Sequence, residues 1–345
     1  MKRILVLLVM AGCAPGPPAG SDATLVREAF ATHVVRGSNM DSPAVWTGPD
    51  DVTWVLTTGK STHRLYVHDA ASGALLRTVG GHGRSLGEFR RPNGIAVVGD
   101  LALVVERDNA RVQVLRLPEL SPVGHFGADT LRKPYGIALL ARDGSDVEVF
   151  VTDDYRAFAG RTPPDAELGQ RVRRFLLRAS GDRVAARYLG AFGDTAGAGR
   201  LLKVESIVAD PDARTLLVAD EESRDVKVYR ADGSFTGRTL WRHELQHEPE
   251  GIALYACGGL DGYWIVVDQH RRANRFLVFD RRTFRPLGAF RGGTVQYTDG
   301  IALLQRPIGS MTAGALYAVH DDRAVVAFSW SDVASALRLR ADCVG

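Results

Sequence analysis

Glu250-Gly-Ile-Ala-Leu254 and Asp299-Gly-Ile-Ala-Leu303 are near-copies of one segment, and Asn93-Gly-Ile-Ala-Val97 and Tyr135-Gly-Ile-Ala-Leu139 are two more. Looser copies stand at Ser42-Pro-Ala-Val-Trp46 and Glu205-Ser-Ile-Val-Ala209. They recur at intervals of roughly 40 to 50 residues, with one longer gap after Tyr135. A period of that size marks a supersecondary unit repeated along the chain. Each copy is followed by a second apolar run: Val52 to Thr57, Leu101 to Val105, Val147 to Thr152, Thr215 to Ala219, Tyr263 to Val267 and Ala315 to Val319. A third run alternates, as in Arg64-Leu-Tyr-Val-His68, Arg111-Val-Gln-Val-Leu115, Val226-Lys-Val-Tyr229 and Arg275-Phe-Leu-Val-Phe279. Most units close with a fourth, such as Ala74 to Val79 or Arg285 to Phe290. Four short β-branched and aromatic strands per unit, separated by Gly, Asp and Pro turns, predict an all-β, six-bladed β-propeller.

The sixth unit has no clear fourth strand after Val325 to Trp330, whereas Ala23 to Val35 precedes the first unit and alternates weakly. The N-terminal stretch is therefore expected to supply the missing strand and close the ring, which removes two exposed sheet edges. Val333 to Leu339 reads as helical, and Tyr155 to Gln170, rich in Pro, Gly and Asp, reads as a surface loop.

The first residues read as a targeting segment. Lys2-Arg3 precedes a short apolar stretch, Ile4 to Met10, and then Ala11-Gly12-Cys13. That stretch is far short of the ~20 residues needed to cross a bilayer. The ending resembles a bacterial lipobox, with Met10 where Leu is usual, so residues 1–12 are expected to be a lipoprotein signal peptide and Cys13 a lipidated N-terminus. An ordinary secretory signal with an incidental Cys is the alternative. Residues 13–22, rich in Pro and Gly, form neither helix nor strand and read as a tether; 23–345 is the propeller. The chain is then exported and anchored to a bacterial membrane by lipid alone. Cys257 and Cys343 would meet an oxidising space, where they could pair or remain two small buried hydrophobes.

With 345 residues, 45% hydrophobic and 24% charged, the composition excludes disordered, collagen-like and disulfide-scaffold classes. The net charge of +3 falls by two if Lys2 and Arg3 are removed. No global basic field then recruits nucleic acid, and a monomer is expected.

Propeller geometry decides which residues can meet. The start of a blade's first strand and the end of its second lie at the same mouth of the central channel. The first set offers Asp41, Asn93, Tyr135, Glu205, Glu250 and Asp299. The second offers Lys60, Glu106-Arg107-Asp108, Asp153-Asp154, Asp220-Glu221-Glu222, Asp268-Gln-His270 and Asp321-Asp322. So many carboxylates require neutralising cations. Oxygen ligands without Cys or clustered His select Ca²⁺ or Mg²⁺, and the wide ring favours Ca²⁺. About half of the strand-two acids are expected to serve their own turns instead. Lys60, Arg90, Arg91, Arg107, Arg156, Lys203, Arg271 and Arg272 stand beside the acids, which suits a multiply anionic ligand such as a phosphate ester.

Several segments resemble the β-propeller phytases, six-bladed calcium-dependent phosphatases. Asp41-Ser-Pro-Ala-Val-Trp46 is similar to their Asp-Asp-Pro-Ala-(Ile/Val/Leu)-Trp signature. Val204-Glu-Ser-Ile-Val-Ala-Asp210 with Leu217-Val-Ala-Asp-Glu-Glu222 resembles their Glu-Gly-x-x-Ala-Asp and Ala-Glu-Glu-Asp pair. Glu248-Pro-Glu-Gly-Ile resembles their Asp-Ile-Glu-Gly-Leu, and Thr298-Asp-Gly-Ile matches the last blade. The likeness runs in order from about residue 30 to 332. It implies a phosphoric monoester hydrolase of the 3-phytase kind, with inositol hexakisphosphate as substrate and Ca²⁺ as cofactor. Asp41, Glu205, Glu221, Glu250 and Asp299 would be calcium ligands. Lys60 and Arg107 would bind phosphate, with Arg91 and Arg156 as further substrate contacts. Glu205, Lys60, Arg107 and Tyr135 would carry catalysis.

The chain departs from that pattern in places. Ser42 replaces the second Asp of the first signature, and Arg91-Pro-Asn-Gly-Ile stands where the family has Asn-Asn-x-Asp-x-Arg. Gly87-Glu-Phe-Arg-Arg-Pro-Asn-Gly-Ile-Ala-Val97 with Asn109-Ala-Arg-Val-Gln-Val114 resembles an NHL repeat, a propeller unit often used for binding. Two other functions therefore stand beside phosphatase: a non-catalytic binding propeller, and a calcium-dependent lactone hydrolase.

Overall fold

The computed structural model describes residues 23–142, 146–180, 183–272 and 274–343. The expected signal peptide, tether and lipidated Cys13 lie outside the described residues. Four-stranded antiparallel sheets repeat six times around one axis, as the sequence period requires. The innermost strands are Met40–Thr47, Pro92–Val98, Pro134–Ala141, Val204–Asp210, Glu248–Ala256 and Ile301–Leu304. Each contacts the innermost strand of the next blade, and Ile301–Leu304 returns to Met40–Thr47, so the ring is closed.

Closure uses the N-terminal segment. Phe30–Ala31 pairs antiparallel with Ala324–Ser329 as the outer strand of blade six, and Thr24–Leu25 adds in parallel to Pro286–Arg291 of blade five. The helical stretch, α1, is Trp330–Leu337, starting three residues earlier than the sequence suggests. Its Trp330 stacks on Tyr255 with ring centroids 4.3 Å apart, so burial against blade five starts the helix there. Cys257 and Cys343 form a disulfide that ties the chain end to the same blade. The stretch from Tyr155 to Gln170 is more than a surface loop. Tyr155 and Leu168 are buried, and it contains 3₁₀ turns at Phe158–Gly160 and Asp165–Gln170. No helix among the described residues is long and apolar enough to cross a membrane.

The core lies between blades. Adjacent sheets enclose apolar layers, such as Leu103, Val105, Val112 and Val114 of blade two against Val149, Val151 and Phe175 of blade three. At the axis the constraint is tighter. A Cβ on Gly136 would stand 2.1 Å from the Glu205 carbonyl oxygen, and one on Gly300 would stand 2.6 Å from that of Asp41. The glycine of the repeated segment is therefore the point where neighbouring inner strands touch. Strand register slips at this position in five blades, between Met40/Pro43, Pro92/Ile95, Pro134/Ile137, Val204/Ile207 and Pro249/Ile252. These are β-bulges, which re-aim a side chain out of the pleat. The residue ahead of the glycine or serine thus turns into the channel.

Gly136→Ala should lower stability by about 2–3 kcal/mol, because the added methyl meets backbone that cannot move without opening the ring. The midpoint of urea unfolding checks this; an unchanged midpoint would contradict the close approach.

Candidate metal centre and anion pocket

Two rings of side chains meet at the channel mouth. The bulges supply the first: Asp41, Tyr135, Glu205 and Glu250, joined by Asp299 just ahead of blade six's inner strand, line an axial cavity of about 180 Å³. Ile95, Ile137, Ile207, Ile252 and Ile301 wall the same cavity. Charge therefore sits against an apolar surface that cannot solvate it.

The second ring comes from the ends of the second strands, and its register sorts their acids into two kinds. Ile207 faces Val218, and the residue two further on, Asp220, turns inward as a latch. Asp220 accepts the backbone N–H groups of Leu202 (2.8 Å) and Lys203 (3.2 Å) and pairs with Lys227 (2.9 Å). Asp153 does the same for Arg132 (3.1 Å) and Lys133 (2.7 Å) with Arg173 (3.0 Å). Asp268 holds Gln246 (3.1 Å) and His247 (2.7 Å) and pairs with Arg275, and Glu106 holds Arg90 (3.1 Å) and pairs with Arg111 (2.5 Å). All four acids are fully buried. They fix the loop entering each inner strand and do not belong to the mouth. One residue later, at Lys60, Arg107, Asp154, Glu221 and Gln269, the chain supplies the second ring. The expected all-round carboxylate cluster is thus confined to fewer residues.

Those residues form two groups. In the first, the Lys60 ammonium lies 2.7 Å from Asp41, 3.0 Å from Asp299 and 3.3 Å from the Tyr135 hydroxyl. Burial opposes its charge, but Asp41 and Asp299 outweigh burial and hold the ammonium above the usual lysine range. Burial also raises the Asp299 carboxyl to about 7 against the pull of Lys60. Tyr135 is held well above the usual phenol range by burial and then by Asp41 and Glu205, so it stays protonated.

The second group is Glu205, Glu221 and Glu250, whose nearest carboxylate oxygens lie within 4.8 Å of one another. Burial, then Glu205, push Glu221 up to about 9 even though Lys203 contacts it. Glu250 is raised well above the carboxylate range by burial, then by Glu221 and Glu205. Two charges 4.8 Å apart repel by about 3 kcal/mol at an effective dielectric of 20. Glu221 Oε1 is buried and has no hydrogen-bond partner. This donor set suits a hard cation. Oxygens on opposite sides of Ca²⁺ stand about 5 Å apart, against about 4 Å for Mg²⁺. Separations within 4.8 Å leave room for an ion of either size.

Glu205 and Tyr135 also border a second cavity of about 660 Å³. Its wall carries Arg107, Arg132, Lys133, Arg156 and Lys203. Asp108 steadies Arg107 (3.0 Å) and Lys133 (3.1 Å), and Asp154 steadies Arg156. Of the basic residues expected to meet substrate, Arg107 and Arg156 line this pocket. Arg91 does not; its backbone N–H donates to His63 at 3.0 Å. Lys60 is committed to the acids. Arg132 and Lys133 were not singled out by the sequence. Their signal is positional: Arg91, Lys133 and Lys203 each stand two residues ahead of a channel residue, in blades two, three and four. Compared with known proteins, the chain matches no family model and no curated protein.

Glu221→Gln is expected to raise stability in chelator at pH 8, on the order of 2 kcal/mol, by removing one of three crowded carboxyls. Thermal unfolding in EGTA measures it; a clear loss of stability would show that the carboxylate is structural.

Proposed function

We propose that this protein is a calcium-dependent phosphomonoester hydrolase of phytase type, acting on a multiply phosphorylated small molecule such as inositol hexakisphosphate. One observation carries the reading: Glu205, a member of the Glu205–Glu221–Glu250 group, also lines a pocket that carries five cationic side chains. A phosphate held there lies beside the acids, and the cations offset their repulsion of an anion. Bound Ca²⁺ would supply Lewis acidity toward the phosphoryl group and lower the pKa of water.

The protein's own residues do the rest. Arg107 and Arg156 offer planar N–H pairs suited to phosphate oxygens, and their carboxylate partners hold them in place. Lys133 and Lys203 act as point charges, and Lys203 also sits 3.7 Å from Glu205, linking pocket to acids. Tyr135, kept protonated, remains a hydrogen-bond donor. The isoleucine wall limits water beneath the site, which strengthens each charge interaction. An exported location with a lipid anchor is part of the proposal; the Cys257–Cys343 pair is compatible with an oxidising compartment.

A second reading, a propeller that binds phosphate esters without cleaving them, is favoured by the engagement of Lys60 with Asp41, Asp299 and Tyr135. Phosphate release from inositol hexakisphosphate separates the two. Hydrolysis is expected with Ca²⁺ and is expected to stop in EGTA, with Arg107→Ala and Lys133→Ala raising KM by about tenfold each. Binding of inositol hexakisphosphate by equilibrium dialysis with no Ca²⁺-dependent release would instead establish the binding reading.

A further inference from the structure

We propose that Lys60 is a built-in counter-ion, which takes the place of a second divalent cation and limits the mouth to one metal ion. The inference rests on reading Glu205, Glu221 and Glu250 as the cation site, and it concerns the other half of the same mouth.

Lys60 ends the second strand of blade one at the position that Glu221 occupies in blade four. Its long side chain reaches into the channel to blade three, at Tyr135, and to the neighbouring blade six, at Asp299. An ammonium group has three N–H donors. Asp41 (2.7 Å), Asp299 (3.0 Å) and the Tyr135 hydroxyl (3.3 Å) use all of them. The remaining carboxylate oxygens are also engaged. Asp41 accepts from the Ser42 hydroxyl at 2.9 Å, and Asp299 accepts from the Gln269 amide at 2.5 Å. Lys60 is only 6% exposed, so solvent does not screen the charges.

This half of the mouth is therefore complete without a ligand. The ammonium has no proton left for a substrate phosphate, and each acid oxygen already has a short hydrogen-bond partner. The other half is less satisfied: Glu205 has only Lys203 at 3.7 Å, and Glu221 Oε1 is buried with no partner. Two adjoining acid groups thus meet the same repulsion in different ways. A covalently attached cation occupies one and cannot be chelated. The other is left open to an exchangeable ion.

If so, removing the ammonium while keeping the chain length should turn Asp41, Asp299 and the Tyr135 hydroxyl into a second oxygen site. The test is a calorimetric Ca²⁺ titration of the chelator-treated protein, comparing wild type with Lys60→Met and Lys60→Arg. The expected result is that Lys60→Met binds one more Ca²⁺ than wild type and that Lys60→Arg gains none. The metal-free melting temperature of Lys60→Met should also fall and recover on Ca²⁺ addition. A folded Lys60→Met with no extra ion, or a wild type that already binds two at the mouth, overturns the proposal. A wild type that binds none removes the Glu205–Glu221–Glu250 reading, while the difference between the variants still decides the role of Lys60. Should Lys60→Met be insoluble, it is refolded with and without Ca²⁺. Recovery only with Ca²⁺ supports the substitution of one cation for the other, and recovery in neither buffer overturns it.

Discussion

Six inner strands must approach one axis until backbone meets backbone, and the rest of the site follows from that constraint. At Gly136 and Gly300 no Cβ fits between one blade and the next. The strand makes room by bulging, and a bulge turns the preceding side chain out of the sheet. What would otherwise be a turn acid at a strand start becomes a channel-facing charge. Asp41, Glu205, Glu250 and Asp299, spread over more than half the sequence, thereby reach one cavity of about 180 Å³. The isoleucines that follow them pack the channel wall, so the charges face a surface of low polarity.

Such crowding is tolerated because the acids are divided among three environments. The latch acids Glu106, Asp153, Asp220 and Asp268 are buried deepest. They are the best satisfied, each with backbone N–H groups and a basic side chain from the third strand. A buried charge with this many partners keeps its loop in one conformation. Asp41 and Asp299 share the Lys60 ammonium. Glu205, Glu221 and Glu250 remain under-neutralised, and burial together with their mutual repulsion pushes Glu221 and Glu250 out of the carboxylate range. Repulsion is thus concentrated where an added cation would relieve it, beside the pocket where an anion would complete the charge balance.

The repeat was legible because each blade must rebuild the same contact with its neighbour, and that contact needs a glycine or a small residue at a fixed place. The N-terminal closing strand was legible for a related reason: blade six lacked an outer partner. The site was legible only in part. Asp220 and Glu221 are adjacent and chemically alike, yet one is a latch and the other a mouth residue, because one step along a strand reverses the side-chain direction. Lys60 reads as a surface base available to a ligand; only the closure of the ring, which sets blade six beside blade one, makes it a partner of Asp299, 239 residues away. Arg132 and Lys133 carry no motif of their own, and they matter because the latch at Asp153 holds their backbone at the edge of the pocket.

By itself the sequence determined the architecture, the number of blades, and the set of acids able to face the channel, since these depend on local periodicity and on a packing contact repeated six times. Only the tertiary structure decided how those acids are shared among latch, internal ammonium and the group of three glutamates. That division depends on distances of a few ångströms between blades far apart in the chain. Coulomb energies and hydrogen-bond saturation at such distances vary steeply with position, and no local pattern in the sequence encodes them.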